Sequence, residues 1–379
     1  MIRMANSFLS IKNIARQALP RLIENLVFPN LIHKDYSNTF EVGKGATIQV
    51  RKPVILTASD FDASTGVSAQ DVKEESVEVT LDKLATVDVE FGAISRATDV
   101  DDLNRLFIEP AAAALAEKIN SDGLTLYKDI PYYTGTAGTT PSTLAIFANA
   151  AKVLDDNKVP TTLRRGVWNS TCMAAFRQIG DIVNAEKSGA TEALRAGSIG
   201  NIFGIQNYMA QGVKTATSTA PTAGGTGATG YKAKTAVSSG KQVVAVSNAS
   251  ANATLTGSVK VGDIVVIGST NYVVVEDATA SSNELTLKLD KAVVCDANDA
   301  ITIICGGGQN LVFHQNAFAF VTRPLAAPAG VESYTTSYNG VTLRVTRGYD
   351  MQYKKEMISM DVLYGYKTMY PELAVRALS

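Results

Sequence analysis

The sequence predicts an α+β chain interrupted by an inserted all-β module. Three observations carry that class. Apolar residues recur at three- and four-residue intervals near the N-terminus and again over residues 99–130, which is helical spacing. Two stretches between them alternate apolar and polar residues, the spacing of strands with unlike faces. Over residues 231–305 helical periodicity disappears, and short β-rich runs separated by Gly, Asn, Ser and Asp take its place.

Bulk properties narrow the classes. A chain of 379 residues exceeds what one hydrophobic core serves, so two or three domains are expected. With 46% hydrophobic and 19% charged residues, the chain is globular rather than disordered. A formal net charge of −1 gives no basic excess that would point to nucleic acid. No apolar run approaches the ~20 residues that cross a bilayer, so no membrane partner is expected. The opening MIRMANSFLSIKNIARQ lacks the continuous apolar core of a signal peptide, and Met4 competes with Met1 as the start. Cys172, Cys295 and Cys305 are odd in number and widely spaced, which fits a reducing compartment and a protein made inside a cell.

The elements follow in order. Leu9, Ile11, Ile14, Ala15, Leu19, Leu22, Ile23 and Leu26 give an amphipathic helix over residues 8–27, which Pro20 is expected to kink or split. Residues 46–51 and 76–83 alternate as strands, with the polar stretch Thr57 to Gly66 between them. Residues 40–97 thus predict a long two-stranded ribbon with a polar tip, marginal by itself in water and in need of an outside surface. Residues 99–130 are the strongest helix, with Ile108, Ala112, Leu115, Ile119 and Leu126 on one face and Pro131 and Gly135 ending it. A second helix is expected from a cap at Thr143 to Asp156, and a third around Thr171–Ile182. Residues 212–230 have linker composition. Beyond them the runs 242–246, 263–267, 272–276, 284–289 and 300–304 predict a small antiparallel barrel or sandwich, closed by Gly306, Gly307 and Gly308 acting as a hinge. Leu311 to Thr322 is strand-like and aromatic, as a core segment would be.

Chemistry finds little support. His314 and His33 are the only histidines, and neither has triad or metal-ligand company. No G-x-S-x-G elbow, H-E-x-x-H or C-x-x-C is present. Gly306–Gly308 lack the Lys-Ser/Thr of a phosphate loop, and the spacing of Gly197, Gly200 and Gly204 is wrong for a dinucleotide. Asp99, Asp101 and Asp102 suit the positive end of a helix better than a metal. Arg164 and Arg165 are expected in a solvated turn rather than on a phosphate. Cys295 and Cys305 are expected as half-buried thiols, with opposition across strands as the alternative. No catalytic, cofactor-binding or metal-binding residue is therefore assigned, and no cofactor.

Five long segments carry a resemblance. Asn25-LVFPNLIHKDYSNTFEVGKGATIQVRKPVILTASD-Phe61 resembles the N-terminal signature of the major coat protein of P-twenty-two-like short-tailed phages. The similarity continues through Glu109–Pro141, Leu194–Val213, Asn310–Pro328 and Arg347–Leu378, which cover most of the chain outside 214–309. Within that gap, Val259–Gly268 is similar to a strand-turn-strand piece of the family's insertion domain.

The resemblance implies the Hong Kong 97-like fold of tailed-phage capsids. Its parts would be an N-terminal arm helix at 1–39, an extended two-stranded loop at 40–97, and the spine helix with part of a peripheral domain at 98–141. An axial domain at 142–213 and 310–330 would be split by an inserted small antiparallel β-barrel at 214–309, and 331–379 would complete the peripheral domain. The implied function is a virion shell, assembled in the host cytoplasm from this chain's own pentamers and hexamers. Its implied partners are a scaffolding protein, a portal protein, a decoration protein and packaged double-stranded DNA bound without sequence specificity. Heterologous contacts that close into rings of five and six suit such a shell, and many weak contacts act together in it. A near-neutral charge lets it sit beside DNA without binding tightly. Three alternatives remain: a surface adhesin, which a secretion signal would mark; a hydrolase, which a clustered acid, base and nucleophile would mark; and a host-encoded nanocompartment of the same fold, which gene neighbours would separate.

Overall fold

The computed structural model describes residues 11–34, 47–52, 76–92, 108–184, 197–224, 230–248, 254–281, 283–351 and 355–379. Its helices are α1 (Ile11–Asn25), α2 (Phe28–Leu31), α3 (Glu109–Gly123), α4 (Ala145–Asp156), α5 (Ser170–Phe176) and α6 (Gly180–Val183). The strands up to the linker are β1 (Thr47–Arg51), β2 (Ser76–Thr80), β3 (Lys83–Gly92), β4 (Tyr133–Gly135), β5 (Arg164–Trp168), β6 (Asn201–Ile202), β7 (Ile205–Met209) and β8 (Thr215–Ala216). The insertion contains β9 (Thr222–Gly224), β10 (Tyr231–Ala233), β11 (Val237–Asn248), β12 (Thr254–Thr256), β13 (Ser258–Val259), β14 (Ile264–Ile267), β15 (Thr270–Val273), β16 (Ala278–Thr279), β17 (Glu284–Cys295) and β18 (Ala300–Ile304). After it come β19 (Gly307–His314), β20 (Phe318–Arg323), β21 (Glu332–Tyr338), β22 (Val341–Asp350), β23 (Lys355–Thr368) and β24 (Ala374–Leu378). The chain divides into two units.

The first unit comprises Met1–Asn25, Lys34–Leu115 and Ala319–Met369. Its sheet runs β20-β23-β22-β21, with β3 also on β23. Helix α1 packs against β21 and β22 through Ile11, Ile14, Ala15, Ala18, Leu19 and Leu22. That is the face the spacing predicts. Pro20 does not split the helix. Arg16 and Pro20 are both exposed, so the carbonyl that loses its donor lies on the outer face, where water replaces the bond.

The ribbon exists, but it is shorter than expected. β1 and β2 pair from Thr47↔Thr80 to Arg51↔Ser76. At Leu81 and Asp82 the strand breaks, and β3 pairs with β23 from Lys83↔Tyr364 to Gly92↔Lys355. Residues 83–92 therefore belong to the sheet, where a larger ladder and the buried Ala85 hold them better than a lone ribbon would. The polar tip, including residues 58–70, lies outside the described residues.

The second unit comprises Leu26–His33, Ala116–Phe318 and Tyr370–Ser379. Its seven-stranded sheet has the order β4-β24-β19-β5-β7-β6, with β8 on β19. Both faces of β19 are covered, so GGQNLVFH is buried almost throughout. On one face Val312, Val375 and Ala377 join Phe147 and Leu154 of α4, Trp168, and Cys172, Met173 and Phe176 of α5. On the other, Phe28, Phe313 and Phe318 form a ring cluster with centroids 5.3–5.6 Å apart. The predicted core segment 311–322 is two strands, β19 and β20, joined by a 3₁₀ turn at Gln315–Ala317.

Several boundaries move for physical reasons. The long helix stops at Gly123 and tightens into a 3₁₀ turn at Leu124–Asp129. With three residues per turn, Leu124, Tyr127 and Ile130 become the buried positions, and the expected Leu126 is only half-buried. Helix α4 is capped by Leu144 rather than Thr143, without a side-chain bond. The third helix is two short ones, and Asn169 caps the first by accepting from Cys172 N. Residues 370–379 lie in the second unit, where β24 stands between β19 and β4, and the first unit resumes at Ala319.

Between β8 and β19, six strands take the order β15-β14-β18-β10-β11-β17. The bridge Val274↔Leu289 and the bond from Val275 N to Lys288 O (2.9 Å) then tie the strand-β15 end to β17. Val244, Val246, Leu285, Leu287, Leu289, Ile301 and Ile303 form their core. Val265, Ile267, Tyr272 and Val274 point in, Ile264 and Val273 are buried outside that core, Val266 is half-buried, and Val275 is exposed, as is Val243 on β11.

Candidate functional site

The residues singled out for chemistry are dispersed. His314 closes β19 and pairs in register with Arg164 on β5. Its Nδ1 accepts from Asn316 N at 3.3 Å, which caps the following turn. Burial, and then the charges of Arg164 and Arg165, hold its imidazole below the usual value. Its Nδ1 lone pair is thus taken by the turn that it caps. The backbone N–H of His33 donates to Phe318 O at 3.3 Å. Asp99, Asp101 and Asp102 lie outside the described residues. Among the described residues no three His, Cys, Asp or Glu side chains gather as a metal site.

Arg164 and Arg165 are not in a solvated turn. Both sit on β5. Arg164, 3% exposed, bonds Asp155 Oδ1 at 2.7 Å and the carbonyls of Pro160 (2.9 Å) and Val159 (2.6 Å), tying the end of α4 to the sheet. Arg165 donates to Leu31 O. The Arg164 guanidinium is thus engaged internally, while the Nε of Arg165 is buried without a partner.

The glycines are packing devices. Gly306 and Gly307 have φ of +77° and +76°. A Cβ at Gly306 would lie 2.7 Å from Ser218 O, and one at Gly307 would lie 2.6 Å from Ser379 O. The expected hinge is thus a tight crossing of chains. Phe203 and Gly204 make a turn with both residues at positive φ between β6 and β7, the hairpin geometry that matches strand twist. The three cysteines are free thiols; Cys172 and Cys295 are buried and Cys305 is half-buried. Burial, and then Asp263, push the Cys305 thiol upward.

A cluster that the sequence reading passed over lies where the insertion meets the seven-stranded sheet. Arg376 on β24 is 1% exposed. Its Nε donates to Ile130 O at 2.6 Å and its Nη1 to Gly262 O at 2.5 Å, and its guanidinium carbon lies 5.4 Å from the Tyr127 ring centroid. Burial pulls its pKa down to about 10, against the charges of Tyr127, Asp263, Asp129 and Asp290. Asp263 accepts from Lys260 N (2.8 Å) and Ser218 Oγ (2.7 Å). The signal was an arginine inside the apolar strand AVRAL, which a buried position tolerates only with dedicated partners. No helix among the described residues is long and apolar enough to cross a membrane.

No protein-family model matches the sequence, and no curated protein matches it either. Solved structures do. A chain from Mycobacterium phage Che8 is similar with a TM-score of 0.53 and 19% identity, over 93% of this chain and 90% of that one. A chain in the capsid structure of the Cyanophage P-SCSP1u is similar with a TM-score of 0.50 and 13% identity, over 93% and 88%. Over nearly its whole length, the chain shares its fold with chains of two phages, one of them in a capsid.

Proposed function

We propose that this chain is the major capsid protein of a tailed double-stranded DNA phage, self-assembling into the icosahedral shell that encloses the genome. The observation that carries the reading is the whole-length likeness of fold to a cyanophage capsid chain and to a Che8 chain. On this reading the fold is Hong Kong 97-like and the chain is kin to P-twenty-two-like coat proteins. The first unit is the peripheral domain, the second unit the axial domain, and β1–β2 the extended loop. The six strands of 231–305 are a small barrel inserted into the axial domain. Pentamers and hexamers of this chain build the shell in the host cytoplasm, with a scaffolding protein, a portal and a decoration protein as partners, and DNA is held without base readout.

Expression of the full chain with and without its candidate scaffolding protein, followed by negative-stain microscopy and sedimentation, tests the reading. Closed shells of uniform size with the scaffold are expected. A chain that stays monomeric under both conditions would overturn it. Uniform shells that form without a scaffold around a host enzyme would favour the nanocompartment instead.

A further inference from the structure

Two apolar side chains of the insertion face away from its core and are buried nonetheless. Ile264 and Val273 stand opposite each other on β14 and β15 and are 1% and 3% exposed. Gly262 lies in the turn just before β14, two residues ahead of Ile264. It has φ of +97°, and a Cβ there would lie 2.6 Å from Lys128 Cγ. The carbonyl of the same glycine takes the bond from Arg376, whose other bond goes to Ile130 O outside the insertion. A guanidinium so deeply buried, with Nη2 left without a partner, is tolerable only when both carbonyls and the Tyr127 ring are in place.

We propose that Arg376 is a latch that fixes the orientation of the inserted β module on the seven-stranded sheet, and that the module docks only once β24 has entered that sheet. Arg376 is positioned by the pairing of β24 with β19 on one side and β4 on the other. Residues 374–378 follow the insertion in the chain by about seventy positions, so its own strands can pair before its docking partner exists. Until β24 is seated, the bond from Arg376 to Gly262 O cannot form. The latch thus makes the insertion's orientation depend on completion of the sheet.

The test uses the full chain with Arg376→Met, Gly262→Ala and the double substitution. Three readouts are taken: protease cleavage within 217–230, exchange protection of the core amides of Val265 and Leu287, and the emission of Trp168. In each single variant cleavage should rise about tenfold while the core amides stay protected and Trp168 stays buried, the signature of an intact module that has come loose. The double variant should be cleaved no faster than either single one, because both changes open the same contact. Unchanged cleavage, an additive double variant, or loss of module protection in step with cleavage would each overturn the latch. If Arg376→Met unfolds the sheet, seen as a red-shifted Trp168, Gly262→Ala decides the question alone, since it alters the module and leaves β24 untouched.

Discussion

Phe147 offers a quantitative test of the second unit's core. Its ring is fully buried, with its centroid 5.1 Å from that of Trp168 and 4.6 Å from that of Phe176. Truncation of a buried Phe to Ala costs about 3–5 kcal/mol, the spread reflecting how far the site collapses. Trp168 and Phe176 hold each other edge-on at 4.9 Å, and Trp168 is further fixed by its indole N–H bond to Asn207 Oδ1 at 2.8 Å. Little collapse is available, so about 4 kcal/mol is expected for Phe147→Ala. With a urea slope of about 2.5 kcal/mol per molar, the midpoint should fall by about 1.6 M. Trp168 is the chain's only tryptophan, so its emission follows this cluster without labelling. Phe147→Leu, which keeps most of the volume, should cost less than about 1.5 kcal/mol. A shift below about 0.5 M for the alanine variant, at unchanged slope, would refute this account of the core.

The remaining predictions concern assembly and charge. Replacing residues 58–70 with a short Gly-Ser turn should leave a folded chain, with Trp168 emission and urea midpoint unchanged, and should abolish closed shells; normal particles from that variant would end the idea that the ribbon tip contacts a neighbour. Because the imidazole of His314 is held below its ordinary value of about 6.5, the unfolded chain takes up that proton first as pH falls. Its contribution is therefore intact above that value and lost as pH drops below it. His314→Gln should lower stability modestly at pH 7 and reduce the loss between pH 7 and pH 5, and a variant as acid-sensitive as the parent would contradict the assignment. Metal analysis of the same preparations should find no stoichiometric zinc; a fixed ratio of zinc to protein would reopen the question of a histidine site.

Elements buried on one face were legible from spacing alone. The inward residues of α1 emerged because one side meets the sheet and the other meets water, so burial and period agree. The strands of the insertion were legible for the same reason, except where both faces are covered. IVVI at 264–267 is apolar throughout, and alternation then carries no phase. The polar anchors were harder still. Arg164 beside a turn and Arg376 near the end of the sequence look like surface cations until the carbonyls of Val159, Pro160, Ile130 and Gly262 converge on them. Those acceptors are backbone atoms, which leave no mark on composition. The departure of β3 from the ribbon was hidden for a related reason, since its partner β23 is more than 260 residues away and propensity does not say which strand it will pair with.

The strand that leaves the ribbon has a mechanical consequence. β2 continues through Leu81 and Asp82 directly into β3, and every residue of β3 is in register with β23. A pull on the chain ahead of Ser76 therefore acts along the axis of β3, across hydrogen bonds that lie perpendicular to it. Loaded in shear, the whole ladder shares the force and must slip together, whereas a strand peeled from its end would surrender its bonds one pair at a time. A tug along β3 thus loads its ladder with β23 in shear, and the same tug applied sideways at Gly92 would peel it pair by pair.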